Sequence, residues 1–405
     1  MTTNKSPKVA DFSTHFSGPV ASRQLVQLGA DIIKIENPRI GDGNRGVTPV
    51  ADGEGVLHPY INTGTRSLTV DARSDAWPRV VEAVCKWADV VIVGTRPSAA
   101  RKRGIDYASV VQHNPDVVYC LISGYGIDGP WAEYPAHGLN MDALAGTVPL
   151  EWVDGLPLPP EEYRSVGTTL AGIEAAVGIY AALYRRSQGL GSQFVNVSIW
   201  ESALSWQWRD LTTYKRIGIP WHGYRGLRSR YWIYRAGDGK AILVCPIERH
   251  FWERFCDALG LPAEMRSRGD WAATGMDFGE GDEEERALIQ QYMNKRDRDD
   301  WQAVFIAADV PSAPILTFAE AMESEHATAN GAMVSFPYNG RETSIPTTPV
   351  SVTPRPEGDL SEAVLAAAHR DKGKLLTPPP QLGEHNAEIL EELGLTGLTP
   401  DPSRP

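Results

Sequence analysis

At 405 residues the chain is too long for one small core, and two domains are the expectation. Its 42% hydrophobic and 22% charged residues place it among ordinary globular proteins and exclude a disordered or fibrous class. A net charge of −12 argues against nucleic acid or an anionic membrane as partner, so an anionic ligand would need a local cluster of positive charge such as "RPSAARKRG", with Arg96, Arg101, Lys102 and Arg103.

Strand and helix signals alternate over the first 125 residues. "KVADF" reads as a strand, "PVASRQLVQLG" as a helix stopped at Gly29, and "ADIIKIE" and "RSLTVD" as strands. "ARSDAWPRVVEAVCKWA" has helical spacing, and "DVVIVG" and "DVVYCLIS" complete the set. Short apolar strands between amphipathic helices predict a doubly wound parallel sheet. Residues 137–147 and 166–187 read as helices, and "SQFVNVSIW" as a further strand leading into a Trp-rich helix, "ESALSWQWRDLTTY".

The texture changes near residue 222. "RYWIYRAGDGKAILVC" predicts a hairpin, with helices near 248–260, 284–295 and 315–324. The expected organisation is a large domain over 1–221, a small α+β domain over 222–335, and an extended return with a closing helix over 336–405. The Pro-rich stretch 346–380 belongs to that return. The apolar run "LAGIEAAVGIYAALY" is too short to span a bilayer. No apolar signal core stands at the N-terminus, so a cytoplasmic location is expected. Cys85, Cys120, Cys245 and Cys256 sit singly in strand- or helix-like runs, so reduced, mostly buried thiols are expected rather than disulfides or a metal site.

Gly124, Gly126 and Gly129 spell G-x-G-x-x-G directly after an apolar strand. A dinucleotide turn requires a helix to begin at once, because its N-terminus holds the pyrophosphate. Pro135 would break that helix within two turns, and the strand is the last of its series. The stretch therefore reads as a ligand loop at the carboxyl end of a strand.

That loop, "ISGYGIDGPW", resembles the S-G-[FY]-G-x-x-G-P-[WY] segment of the class III CoA-transferase family, the group that contains carnitine and bile-acid CoA-transferases. The resemblance continues in order through "VADFSTHFSGPVASRQLVQLGADIIKIENPRIGDGNRG", "INTGTRSLTVD", "ADVVIVGTRPSAARKRGIDYASVVQHNPDVVYC" and "LGEHNAEILEELGL". It implies a Rossmann-like large domain built from both chain ends, a smaller central domain, and two chains threaded into an interlocked dimer. It also implies CoA transfer between carboxylic acids without metal or organic cofactor. In that reaction an Asp carboxylate attacks the donor thioester, and a mixed anhydride and an aspartyl-CoA thioester follow.

The family's Asp lies four residues before a Gly on a long small-residue helix. The matching glycine is Gly172, so the nucleophile position holds Thr168. A threonine hydroxyl is un-ionised at neutral pH and needs a base. Glu161 and Glu162, in the preceding loop, read as solvated. The family's Asn-Phe after the "ADVVIV"-type strand is replaced by Gly94-Thr95. The resemblance places a CoA-binding surface on Ser17, Arg66, Arg73, Thr95 and Lys102, which are otherwise ordinary surface residues. His137 stands where the family's 2-methylacyl-CoA racemase branch carries a catalytic His. Such a reaction needs two acid–base groups, and the sequence offers one. Trp200, Trp206, Trp208, Trp221 and Trp232 suit core and interface packing or an aromatic acceptor pocket.

The reading favoured is a non-catalytic subunit partnered by a homologue that keeps the Asp, as in the two unequal chains of succinyl-CoA:benzylsuccinate CoA-transferase. Succinyl-CoA and an aromatic dicarboxylate are then the expected substrates. An acyl-CoA isomerase, racemase or lyase using His137, and an inactive CoA-binding protein, stay open.

Overall fold

The computed structural model describes residues 6–221, 228–272, 274–279, 283–352 and 376–398. Position 222, where the sequence texture changes, and most of the proline-rich return lie outside them. By contacts the chain divides into two compact units, Met1–Trp208 with Glu325–Pro405, and Arg209–Ser324.

The first unit is built on six parallel strands: β1 (Lys8–Asp11), β2 (Asp31–Glu36), β3 (Arg66–Thr69), β4 (Val90–Val93), β5 (Val118–Ser123) and β6 (Gln193–Ser198). Their spatial order is β6-β5-β4-β1-β2-β3, the doubly wound order in which the winding reverses between β1 and β4. Lys8 pairs with Asp31 and Val9 with Val90, so the three central strands start level. β4 and β5 are apolar, β-branched-rich runs buried along their whole length, as strands covered on both faces must be.

Helix α1 (Ser17–Gln27) covers one face of the sheet and α2 (Trp77–Trp87) the other. α1 ends where Gly29, at φ 97°, takes a backbone that other residues resist. On the α2 side, Val80, Val81 and Val84 pack with Ile389 and Leu390 of the closing helix Asn386–Glu392, so the end of the described chain completes the first unit. The return also contributes a hairpin, Met333–Tyr338 with Arg341–Pro346, whose Phe336 and Ile345 pack on the α1 face.

Four helices matter for the site: α3 (Pro97–Lys102), α5 (Gly138–Ala145), α6 (Gly167–Ser187) and α7 (Ile199–Trp206), with α4 (Tyr107–His113) between the first two. α6 buries a small-residue face, Ala171, Gly172, Ala175 and Ala176, against α1. A Cβ on Gly172 would stand 2.6 Å from the Ser17 carbonyl oxygen, so the two helices meet at backbone distance. The Trp-rich helix of the sequence is two helices, broken at Gln207.

The second unit carries an antiparallel three-stranded sheet, Trp232–Arg235, Ala241–Val244 and Ser312–Pro314. Its helices include Arg249–Leu259 and Arg298–Ala307, around Trp252, Phe255 and Phe305. The contact boundary before this unit falls at the helix break rather than at 221. The boundary after it falls between two short helices rather than at 335. Among the described residues no helix is long and apolar enough to cross a membrane, and all four thiols are free, three of them buried.

Candidate functional site

A cavity of about 560 Å³ opens where open parallel sheets place their ligands, at the carboxyl ends of the strands around the reversal between β1 and β4. The turn after β1 gives Thr14 to Gly18, and the turn after β4 gives Gly94 to Arg96. The end of β5 brings Ile122 and Ser123, the following loop brings Tyr134 to Gly138, and α6 and α7 add Thr168 and Ile199. The loop after β5 holds no helix before Gly138, and Gly126 and Gly129 take φ of 86° and 90°. The glycines shape a ligand loop and no dinucleotide turn.

Two tight approaches set the floor. A Cβ on Gly18 would fall on the Ser13 side chain, and one on Gly94 would lie 2.7 Å from Ser13 Cβ. Position 94 therefore has no room for a side chain beside Ser13. Ser13 in turn donates to Asp11, which also accepts from Ser22 and pairs with the buried Lys34 ammonium at 3.3 Å. Lys34 reaches Asp42 at 2.9 Å. Burial alone would raise the Asp42 carboxyl, but Lys34 and the Asn44 and His15 backbone N–H groups hold it at about 2.

The structure brings Ser17, Thr95, Arg96, His137 and Thr168, all selected from the sequence, to this one cavity. Thr168 lies in the first turn of α6, where its methyl would touch a Cβ on Gly138 at 3.2 Å. Among the described residues its hydroxyl has no hydrogen-bond partner. His137 ends the loop before α5. Its backbone N–H donates to Asn140 Oδ1 at 2.8 Å.

Arg66, Arg73 and Lys102 are not in the cavity. Arg66 starts β3, at the opposite, amino-terminal edge of the sheet, where it pairs with Asp31 (2.8 Å), Glu388 (2.9 Å) and Glu392 (2.8 Å). These pairs make Arg66 a tie between the sheet and the closing helix. Arg73 is solvated beside Asp71, and Lys102 is exposed at the end of α3. The tryptophans picked out by the sequence do not line the cavity either; its aromatic lining is Phe16 and Tyr134. Trp206, Trp208 and Trp221 are exposed rather than core.

Three features escaped sequence reasoning. His15 also lines the cavity, in a left-handed backbone (φ 68°) held by its N–H to Asp42 Oδ1 at 2.9 Å. A second imidazole therefore stands in the cavity, where the sequence offers only His137. Asp142, fully buried on α5, accepts from the Gly167 N–H (3.0 Å), the Val166 N–H (3.2 Å) and the Tyr163 hydroxyl (3.0 Å). It caps α6 one residue before Thr168; its signal was a carboxylate on an otherwise apolar helix face. Last, Glu133 accepts from the Ser98 N–H (3.0 Å) and from Arg101 (3.1 Å), while its carbonyl oxygen accepts from Arg96 (3.1 Å). This contact pins the loop that carries Tyr134 and His137 to the start of α3. Glu161 and Glu162 are solvent-exposed, and among the described residues no Asp or Glu lines the cavity.

The family model for CoA-transferase family III matches residues 6–386. The chain is 26% identical over 401 residues to the cinnamoyl-CoA:phenyllactate CoA-transferase of Clostridium sporogenes, covering 96% of this chain and 93% of that protein. It is 25% identical over 408 residues to the alpha-methylacyl-CoA racemase of Mus musculus, covering 96% and 93%. Among solved structures, a CAIB/BAIF family protein from Brucella suis superposes with a TM-score of 0.75 at 23% identity, over 96% of this chain and 98% of that one. At that identity the likeness speaks for the fold alone.

Proposed function

This chain belongs to CoA-transferase family III, and from that premise we propose that it is the non-catalytic member of a pair. In this reading it is a subunit of an enzyme that moves CoA between carboxylic acids, with a homologous chain supplying the Asp. CoA thioesters enter as substrates, and no metal or organic group is resident.

One observation carries the reading: among the described residues the cavity has no carboxylate in its lining, and Thr168 stands where the resemblance puts the nucleophile. The transfer begins when a carboxylate oxygen bonds to the thioester carbonyl carbon and the C–S bond breaks, releasing CoA thiolate and leaving a mixed anhydride. The thiolate then attacks the enzyme's side of the anhydride and frees the donor acid. Both steps need an oxygen that is ionised at neutral pH and leaves as a stable carboxylate. Thr168 meets neither condition, and Asp142 is fully engaged at the start of α6. The interlocked arrangement is part of the proposal. It is supported by an apolar stripe along α6, where Ile173, Val177 and Tyr184 recur on the solvent side, with Val177 67% exposed.

The test is the native mass of the complex isolated gently from its own host, followed by transferase assays of the chain alone and of the complex. A second chain of similar size, with activity confined to the pair, supports the reading. A pure homodimer removes it.

A second reading is favoured by two imidazoles, His15 and His137, in the same cavity. They are the acid–base groups that α-proton exchange on an acyl-CoA requires. Loss of deuterium exchange in His137→Ala would support it, and persistence would sink it. An inactive CoA-binding protein predicts affinity without turnover in either assay.

A further inference from the structure

We infer that Arg96 reads the far end of the acyl group: it receives the free carboxylate of a dicarboxylic acyl-CoA. The inference rests on the reading that this cavity takes an acyl-CoA, and it holds whichever chain carries the nucleophile.

The charge of the cavity runs against that of the molecule. The chain carries −12, yet among the described residues the lining holds no Asp or Glu, and its fixed charge is the Arg96 guanidinium. Hydroxyls (Thr14, Ser17, Thr95, Ser123, Tyr134, Thr168) and two imidazoles complete the polar lining. Of the four basic residues in "RPSAARKRG", only Arg96 lines the cavity, from a solvent-exposed position at its rim. Arg101 is engaged by the Glu133 carboxylate, and Lys102 and Arg103 are exposed on the far end of α3. Arg96 itself makes no ion pair among the described residues. One nitrogen donates to the Glu133 carbonyl at 3.1 Å, which orients the guanidinium without neutralising it.

An oriented, charge-uncompensated guanidinium facing a cavity without anions is a receptor for a planar anion, and its fork matches a carboxylate bidentately. The rest of the cavity limits which anion. Ile122, Met141, Ile199 and Phe16 line it with apolar surface, which suits a hydrocarbon spacer. An acyl group with an apolar middle and a carboxylate at its far end satisfies both parts of the lining. A phosphate of the CoA nucleotide is the other anion that could reach Arg96, and the two sources separate experimentally.

The experiment is calorimetric titration of the full-length chain, and of its native complex, with four probes: succinyl-CoA, butyryl-CoA, CoA and 3′-dephospho-CoA. The wild type is compared with Arg96→Gln and Arg96→Lys. The expected result is that Arg96→Gln weakens succinyl-CoA by about 10- to 100-fold, the worth of a charge-assisted bond. Butyryl-CoA, CoA and dephospho-CoA should change by no more than about twofold, and Arg96→Lys should keep part of the preference because it retains charge without the fork. Equal weakening of succinyl-CoA, butyryl-CoA and CoA, with dephospho-CoA spared, would assign Arg96 to the phosphate and overturn the inference. So would a wild type that does not tell succinyl-CoA from butyryl-CoA. If none of the four probes binds, the acyl-CoA reading of the cavity falls and the inference falls with it. An unchanged melting temperature for both variants shows that the comparison is between folded proteins.

Discussion

Arg66 and Arg96 stand at opposite edges of the same sheet. Arg66 begins a strand and is enclosed by Asp31, Glu388 and Glu392. Arg96 follows a strand and meets no carboxylate at ion-pair distance among the described residues. In sequence both are basic residues in family-like segments. In the fold one is a structural tie and the other is the charge of an open cavity. A basic residue marks a ligand site only when the chain has not already neutralised it, and that depends on which distant segment packs beside it.

The largest expected effect lies on the cavity edge. Thr168→Asp should turn a chain that forms no covalent adduct into one that traps CoA as an aspartyl thioester, an all-or-none change read by intact mass after incubation with acyl-CoA. Asp142 already places a negative charge at the start of the same helix, so the new carboxylate should ionise reluctantly and the adduct should accumulate faster as pH rises. If the variant forms no adduct at any pH while its fold is intact, the cavity is not an acyl-transfer site.

Acid stability separates the two edges next. Burial, followed by the nearby Arg45 charge, lowers His58 from 6.5 to about 4. Between those values the unfolded chain binds the proton and the folded chain does not, so stability falls with pH across that window by about 3 kcal/mol. Burial would raise Glu392 at the other edge, but hydrogen bonds from Arg66 and Trp87 hold it below its ordinary 4.5. Its contribution is present above that value and is lost as pH falls below it. Denaturant unfolding from pH 7 to 3 should show two limbs, and His58→Asn should flatten only the upper one.

Arg66→Ala should cost about 1–2 kcal/mol, since it leaves three carboxylates facing one another while solvent screens part of their repulsion. Its affinity for CoA thioesters should be unchanged. Arg96→Gln should do the reverse and shift stability by less than about 0.5 kcal/mol. Loss of binding in Arg66→Ala at unchanged stability would erase the distinction between the edges.

The doubly wound sheet was readable because fully buried strands such as "VVIV" and "VYCLIS" are continuous apolar runs that tolerate few other structures. Three hairpins were missed although each turns on Asp-Gly or Asn-Gly, at Asp52-Gly53, Asp154-Gly155 and Asn339-Gly340, with positive φ at both residues. The strands of the first two are only two or three residues long, so the turn residues alone gave a signal there; the third has six-residue strands mostly inside the stretch read as an extended return. Thr168, His137, Thr95 and Ser17 could be placed together because they follow strand ends or start helices at one end of a parallel sheet. His15 and Asp142 could not. One depends on a left-handed backbone, and the other on a capping bond to a helix more than twenty residues away.

The contact between Ser13 and Gly94 constrains how this cavity can change. With Ser13 Cβ only 2.7 Å from where a Cβ at 94 would sit, no larger residue can enter at 94 until Ser13 shrinks to glycine or its turn moves. Ser13 is in turn held by Asp11, whose other oxygen serves Ser22 and Lys34. The two positions are therefore sterically coupled. A single substitution toward the family's Asn at 94 meets a steric barrier, so mutational routes back to the usual cavity floor pass through position 13 first.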